Sequence, residues 1–337
     1  MTRKPLFSAI LALGAGVATG APAKPPPLPL TLVADVRLPG DASRFDYQAI
    51  DSVNRRLYIS HLGDSSLVVF DLDAQKVIHE VAHLPSVHGV VAAPDLHLVL
   101  ATATAEKTLA LIDDQTFEVK SRVPAGEYPN GLAFDPTSGK VFVSNNTGAG
   151  VAVVDAKVAK ALPSIQIGGG AGNTQWDAES GHVLAAVHGR HDLADIDPAK
   201  GELAGRIALH DVTTCHGLLV ASKLRLAFAV CHGKGPVLAV VDLRERRQLQ
   251  LLPLPPDMDV LAFDPGLGRL YAAAETGMVA VFSVASDRTV TEAGRGLLGP
   301  NAHSVAVDPT THRVYFPLAN VDGHPVLRVM EPTDRAR

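Results

Sequence analysis

Several features are missing from this 337-residue chain, and each absence argues against a class of protein. Helical periodicity is hard to find in the mature sequence, so an α-helical domain is not expected. The 30 Lys and Arg residues are scattered, the net charge is −5, and no basic stripe suited to nucleic acid is present. The chain has no P-loop, no G-x-G-x-x-G between a strand and a helix, no H-E-x-x-H and no G-x-S-x-G. No standard catalytic motif indicates a reaction, so whether the protein is an enzyme stays open.

What the chain does contain is a repeat, clearest between Tyr128 and Asp155. This segment predicts three short strands, at about residues 131–134, 140–144 and 151–154, separated by clusters of turn-forming residues. The pattern occurs seven times, with these residues at the heads of the repeats: Asp46, His88, Asn130, Asn173, His216, Asp259 and His303. Their successive spacings are 42, 42, 43, 43, 43 and 44 residues. A period of about 40 residues with four strands per unit predicts an all-β fold, a seven-bladed β-propeller of four-stranded blades around a channel.

The two ends of the chain predict how the ring closes. Residues 32–38 resemble the fourth strand of later repeats, whereas the last repeat stops after its third strand, near Met330. We therefore expect an N-terminal strand to complete the last blade, which leaves no unpaired edge at the junction. The expected division is a signal peptide at 1–23, a proline-rich lead-in at 24–30, one propeller at 31–332 and a C-terminal tail at 333–337.

The first 23 residues predict export. Arg3 and Lys4 precede an apolar run at residues 5–17, and Ala21-Pro22-Ala23 has the small-residue pattern of a signal-peptide cleavage site. The run is shorter than the roughly 20 residues of a transmembrane helix, and no later run is long enough either. We expect a periplasmic or secreted protein without a transmembrane segment in the mature chain, in an oxidising compartment.

The repeat also resembles a known family. Phe142-Val143-Ser144-Asn145 lies between a D-P-x-x-G-K turn and a later V-V-D, and similar segments begin at Leu57, Leu270 and Val314. In these residues the chain is similar to the YVTN family of β-propellers, and most of all to exported, single-domain YncE-like members. The resemblance covers essentially the whole mature chain. It implies a seven-bladed scaffold or binding protein and little chemistry. The second and fifth repeats lack the D-P-x-x-G turn.

Two recurring sets of aspartates have a structural explanation. We expect Asp135, Asp264 and Asp308 to open turns in which the carboxylate accepts a hydrogen bond from the backbone two residues on. The same role is expected at the ends of the third strands, for Asp71, Asp113, Asp155, Asp197 and Asp242.

The repeat heads form the candidate ligand-binding site. The first strand of each blade lines the channel, so the seven heads form a ring at similar depth. Around the closed ring, five neighbouring heads alternate imidazole and carboxylate: His216, Asp259, His303, Asp46 and His88. Asn130 and Asn173 fill the other two places. Buried charges of this kind need pairing, hydrogen bonds or a metal.

Two explanations of the ring stay open. In the first, a divalent metal or a small anionic ligand lies on the channel axis, and imidazole and carboxylate ligands suit Zn, Cu, Mn, Fe or Ni. His88, His216 and His303 would then be the first ligands, with Asp46 and Asp259 as ligands or as groups that orient the histidines. In the second, channel water and His–Asp hydrogen bonds satisfy the ring. At Zn–N and Zn–O distances of about 2.0–2.2 Å, only some of these side chains can reach one ion.

A second polar layer is expected near one mouth of the channel. Fifteen residues after the heads stand His61, Ala103, Asn145, His188, Cys231, Ala274 and Leu318. His61, His188 and the neighbouring Glu275 could widen a polar pocket there, although ordinary loop residues explain this mixed set as well.

The only two cysteines, Cys215 and Cys231, flank one predicted hairpin with its turn near residue 223. They are equidistant from that turn, so they face each other on adjacent strands, and an oxidising compartment favours a disulfide. The competing interpretation is a soft-metal site with His216 and His232, which would suit copper or zinc.

Three functions fit these patterns. The first is an exported binding protein that holds a metal, a small anion or a partner peptide at its channel. The second is a metal-dependent hydrolase in which the channel metal activates water, by analogy with propeller lactonases. The third is a protein-interaction scaffold that uses the propeller faces and has no small ligand.

Overall fold

The computed structural model describes residues 25–148 and 150–333. Within these residues the chain folds into seven four-stranded antiparallel sheets, which confirms the predicted seven-bladed β-propeller. The predicted signal peptide lies outside the described residues. Among those that are described, no helix has the length and hydropathy of a membrane span.

Blades one to six each take four consecutive strands, innermost strand first. Blade one comprises β2 (Gln48–Asp51), β3 (Arg56–His61), β4 (Ser66–Asp71) and β5 (Lys76–Val81). Blade two comprises β6 (Val87–Ala93), β7 (Leu98–Ala103), β8 (Thr108–Asp113) and β9 (Val119–Pro124). Blade three comprises β10 (Pro129–Asp135), β11 (Lys140–Asn145), β12 (Gly150–Asp155) and β13 (Lys160–Gln166).

The next three blades follow the same order. Blade four comprises β14 (Ala171–Asp177), β15 (His182–Val187), β16 (Asp192–Asp197) and β17 (Glu202–Ala208). Blade five comprises β18 (Thr214–Ala221), β19 (Leu226–His232), β20 (Pro236–Asp242) and β21 (Arg247–Pro253). Blade six comprises β22 (Met258–Asp264), β23 (Arg269–Ala274), β24 (Met278–Val284) and β25 (Val290–Leu297).

Blade seven joins the two ends of the chain. It comprises β26 (Ala306–Val307), β27 (Val314–Val321), β28 (His324–Pro332) and, outermost, β1 (Leu30–Arg37). β1 runs antiparallel to β28, and Arg328 Nη2 lies 2.6 Å from Asp35 Oδ2 across this pair. The predicted closure by the N-terminal strand is therefore confirmed.

The core lies between neighbouring blades. The middle strands are covered on both faces by adjacent sheets and therefore read as continuous apolar runs; β7, for example, is buried at all six positions. Between blades five and six, Leu226 and Phe228 pack with Leu270 and Phe282, all four fully buried. This packing fixes each inner strand, and so fixes the side chains that face the channel.

The aspartate turns form as predicted. Asp135, Asp264 and Asp308 each accept a backbone hydrogen bond through Oδ1 from the residue two positions on. The same contact is made by Asp71, Asp113, Asp155, Asp197 and Asp242. In the second and fifth repeats, 3-10 turns at Pro94–Leu96 and Ser222–Leu224 replace the missing motif. A further 3-10 turn, Thr104–Glu106, links β7 to β8.

A β-bulge at the head of the inner strand recurs in five blades. The pairing register shifts between Val87 and Val90, Pro129 and Leu132, Ala171 and Thr174, Cys215 and Leu218, and Met258 and Val260. In each case the predicted head residue lies inside the bulge, which re-aims its side chain. Asp46 and His303 instead lie in the loops just before β2 and β26.

Candidate functional site

Five of the seven predicted heads meet in one group at the channel mouth. His303 Nε2 lies 3.0 Å from Asp259 Oδ2, and His216 Nε2 lies 3.6 Å from Asp259 Oδ1. On the other side of His303, His88 Nε2 lies 3.9 Å from Asp46 Oδ2. The alternation of imidazole and carboxylate in the sequence is thus an alternation of neighbours in space.

His303 is held as an imidazolium between acceptors. Its side chain is fully buried, with Nδ1 3.2 Å from the carbonyl oxygen of Phe45 and Nε2 against Asp259. Because a carbonyl and an ionised carboxylate only accept hydrogen bonds, both ring nitrogens must carry protons. Burial lowers the pKa of His303, but the hydrogen bond to Asp259 and the charge of Asp46 outweigh burial and raise it.

The pKa values of the two carboxyl groups in this group shift in opposite directions. Burial raises the pKa of Asp259, but the charges of His216 and His303 outweigh it, and the pKa falls to about 2. Burial dominates at Asp46, whose pKa is raised in spite of the charges of His303 and His88. Asp259 is therefore the permanent anion of the mouth.

His188 fixes the orientation of His216. His188 Nε2 lies 2.9 Å from His216 Nδ1, and the stacked rings have centroids 5.1 Å apart. Burial and the charge of His216 lower the pKa of His188, which is also hydrogen-bonded to the backbone of Asn146. Since that bond raises the pKa of His188, His188 donates it, through Nδ1, and its Nε2 accepts a hydrogen bond from His216 Nδ1. This contact fixes the His216 ring with its Nε2 facing Asp259 Oδ1.

A gap separates His216 from Asp259. Their 3.6 Å separation exceeds a hydrogen bond. Asp259 Oδ1 is also buried and has no hydrogen-bond partner among residues 25–148 and 150–333. An unpaired buried carboxylate oxygen is costly, so the gap suits a positively charged occupant.

His88 and Asp46 form a second gap of the same kind. His88 Nδ1 lies 2.8 Å from the carbonyl oxygen of Ser86 and 2.8 Å from Thr104 Oγ1. The carbonyl can only accept, so Nδ1 donates to it, and Nε2 faces Asp46 Oδ2. At 3.9 Å this gap is wider than the first.

The other two heads take no part in these contacts. Asn173 Oδ1 accepts a hydrogen bond from the Thr174 backbone, and Asn173 lines a channel cavity of about 90 Å³ together with Gln48 and Gln175. Asn130 is buried, with its Oδ1 unpaired within the described part of the chain. The ring of seven thus divides into a charged arc of five and an amide arc of two.

The second polar layer is partly assembled at the mouth. His188 contacts His216, and Glu275 Oε1 lies 3.9 Å from His303 Nε2. His61 instead is fully buried, stacks on Phe45 at 4.0 Å between ring centroids and contacts Ser43. Burial lowers its pKa.

Arg44, Thr104 and Tyr128 are mouth residues that the repeat pattern misses. Arg44 Nη2 lies 2.8 Å from Glu275 Oε1, which joins blade one to blade six across the opening. Tyr128 lies edge-on to His88, with ring centroids 5.7 Å apart. None of the three stands at a repeat head, so periodicity carried no signal for them. The one indication in the sequence that Arg44 lies at the mouth was its position two residues before the repeat head Asp46.

The predicted metal ligands do not converge on one point. In the part of the chain that the structure describes, no group of three or more His, Cys, Asp and Glu side chains is arranged to hold a metal ion. His303 has both ring nitrogens in hydrogen bonds, so it orients Asp259. His216 with Asp259, and His88 with Asp46, are the two donor pairs that remain for a cation.

Cys215 and Cys231 pair directly across β18 and β19 and are joined by a disulfide with an S–S distance of 1.99 Å. Both residues are fully buried. Cys215 immediately precedes His216 at the bulge, so the disulfide fixes the backbone that carries this imidazole.

Comparison with known proteins shows the fold alone. No family model matches the chain, and no curated protein matches its sequence. Among solved structures it is similar to Kuenenia stuttgartiensis Hydrazine Synthase, with a TM-score of 0.73 and 16% sequence identity. The match covers 93% of this chain and 99% of that chain. At this identity, the similarity extends to the propeller architecture and carries no activity across.

Proposed function

We propose that this propeller is a binding protein whose channel mouth takes up a divalent transition-metal ion between His216 and Asp259. The observation that carries the proposal is the buried, unpartnered Asp259 Oδ1 facing a fixed imidazole nitrogen at 3.6 Å. Imidazole nitrogen with carboxylate oxygen is a donor set that suits Zn, Cu, Ni, Fe or Mn.

The separation of the two donors suits a metal ion. For an ion about 2.1 Å from both atoms, the angle between its bonds to His216 Nε2 and Asp259 Oδ1 would be about 120°, close to tetrahedral. Asp259 Oδ1 is buried from water, so an occupant that touches it must be small. His216 has a side chain that is 32% exposed, which leaves the remaining coordination positions open towards solvent.

The charges around the mouth favour a cation over the small anion that the sequence also allowed. Asp259 lines the gap and stays ionised because its pKa is about 2, whereas Glu275 is paired with Arg44. An anion placed in the gap would add to this negative charge.

The test is a titration of the tag-free mature protein with Zn²⁺ and Ni²⁺, followed by calorimetry and by the NMR signals of the His216 and His188 rings. We expect one ion per chain in the wild type, and loss of binding in Asp259→Asn and in His216→Gln. His210→Gln, at an exposed histidine, is the matched control and keeps wild-type binding. Unchanged binding in both site variants, or binding of methylammonium in preference to either metal, would contradict the proposal.

We further infer that the protein is an exported member of the YVTN-type propellers. Support comes from the basic, apolar and A-x-A segments of residues 1–23 and from the repeat around residues 142–145. N-terminal sequencing of protein recovered from the cell envelope or medium tests export, and we expect the mature chain to begin at Lys24. An intact N-terminus on a cytosolic protein would contradict it.

A further inference from the structure

A depression lies beside the channel mouth on blades one to three. Its volume is about 450 Å³, within the range of small-ligand sites. The side chains that line it include Arg44, Ser86, His88, Thr104, Lys107 and Tyr128. The depression shares His88 with the second gap but includes neither His216 nor Asp259.

The lining of the depression is basic. Arg44, His88 and Lys107 contribute to it, and no acidic side chain does. Arg44 and Lys107 have carboxylate partners, Glu275 and Glu127, outside the lining. Both glutamate side chains are highly exposed, at 47% and 73%, and such surface pairs are weak.

Donors remain for a ligand after these pairs are counted. Arg44 Nη2 lies 2.8 Å from Glu275 Oε1, and a guanidinium has five N–H groups. Lys107 uses its ammonium group on Glu127, and an ammonium has three N–H groups. Guanidinium and ammonium groups bind oxyanions best.

The floor of the depression is rigid. The carbonyl oxygen of Ser86 and Oγ1 of Thr104 both lie within hydrogen-bond distance of His88 Nδ1. Thr104 Oγ1 also donates a hydrogen bond to the carbonyl oxygen of Pro129. The ring of Tyr128 covers His88 from the side. A site built from fixed groups loses little entropy when a ligand binds.

We propose that this depression binds the oxyanionic group of a small ligand, a carboxylate or a phosphate, between Arg44 and Lys107. The site is separate from the metal site between His216 and Asp259, and the proposal does not rest on it. A ligand bound here would lie at the rim of the channel, outside the gap between His216 and Asp259.

The test compares charge-matched variants. Inorganic phosphate and acetate are titrated separately into the wild type, Arg44→Gln/Lys107→Gln and the control Lys223→Gln/Lys234→Gln, with the NMR signals of Tyr128 and His88 as the readout. The control removes two exposed lysines outside the depression, so it has the same net charge. Thermal unfolding shows that all three proteins are folded.

We expect at least about a tenfold weaker affinity in the site variant, because two charge-assisted hydrogen bonds are lost, and little change in the control. The anion that binds more tightly identifies the oxyanion. Equal weakening in both variants would show non-specific attraction and overturn the proposal, as would a wild type whose Tyr128 and His88 signals respond to neither anion.

Discussion

Arg55 clasps Asp308 with two parallel hydrogen bonds across the junction between the first and last blades. Nη1 and Nη2 of Arg55 lie 2.9 and 2.8 Å from Oδ1 and Oδ2 of Asp308, whose side chain is fully buried. Burial raises the pKa of Asp308, but the bonds from Arg55 and Thr311 outweigh it and lower the pKa to about 2. The carboxylate that opens a turn in blade seven therefore also ties that blade to blade one.

Replacing Arg55 should destabilise the ring junction. Arg55→Gln leaves the buried Asp308 carboxylate without its charged partner, and such a loss costs about 3–5 kcal/mol. Urea unfolding at neutral pH measures it. Arg247→Gln, which removes an exposed pair with Glu245, should change the free energy of unfolding by less than about 1 kcal/mol. Equal effects of the two substitutions would show that the Arg55–Asp308 pair contributes no more to the free energy of unfolding than a surface pair does.

His303 should make stability fall at alkaline pH. Its pKa is raised in the folded protein, so its contribution is complete below the unfolded value of about 6.5 and is lost as pH rises through the folded value. In chelator-treated protein, His303→Gln should flatten the dependence of unfolding free energy on pH above about 6.5. A wild-type curve already flat in that range, or a His303 ring signal that titrates below pH 6.5, would contradict the imidazolium assignment.

Gly217 should not tolerate a side chain. A Cβ there would lie 2.0 Å from the carbonyl oxygen of Asp259 in the next blade, and backbone cannot move aside as a flexible side chain can. We expect Gly217→Ala to cost about 1–3 kcal/mol and to weaken metal binding, because it displaces Asp259. Gly235→Ala is the matched control, since nothing lies within 4 Å of its added Cβ. Similar melting temperatures for the two variants would rule out this close approach.

Removal of the disulfide should affect both stability and the site. Cys215 and Cys231 are 16 residues apart, and a loop of that length corresponds to about 3 kcal/mol. Cys215→Ala/Cys231→Ala should therefore lower the melting temperature and broaden the ring signals of His216. The same melting temperature in the variant as in the wild type, both under non-reducing conditions, would mean that the sulfurs are not bonded.

The repeat allowed much of the fold to be predicted. Its period fixes the number of blades, and the Asp-Pro turns place the loops, because an aspartate that caps a turn acts through residues only two positions away. The loops after β6 and β18 could not be predicted. They turn through His97 and Arg225 in the left-handed conformation, with φ of 53° and 55°. Neither residue type indicates this conformation in a sequence.

The site was less accessible to sequence reasoning. Repeat positions identified the histidines and aspartates of the mouth, because equivalent heads face the same channel. They could not show which atoms meet. The division into two gaps depends on carbonyl groups, such as those of Phe45 and Ser86, that no side-chain pattern reveals. Arg44 lies in a loop outside the repeat, and only the folded ring brings it to Glu275.

The pairing of β1 with β28 has a consequence for the timing of biosynthesis. Asp35 and Arg328, which bond across these strands, are 293 residues apart, so the first strand to leave the ribosome waits for the last one. Local hairpins of blades one to six can form while translation continues, but the seventh sheet cannot. A truncated chain would keep an open strand edge, which invites aggregation and proteolysis. Ring closure thus distinguishes complete chains from incomplete ones.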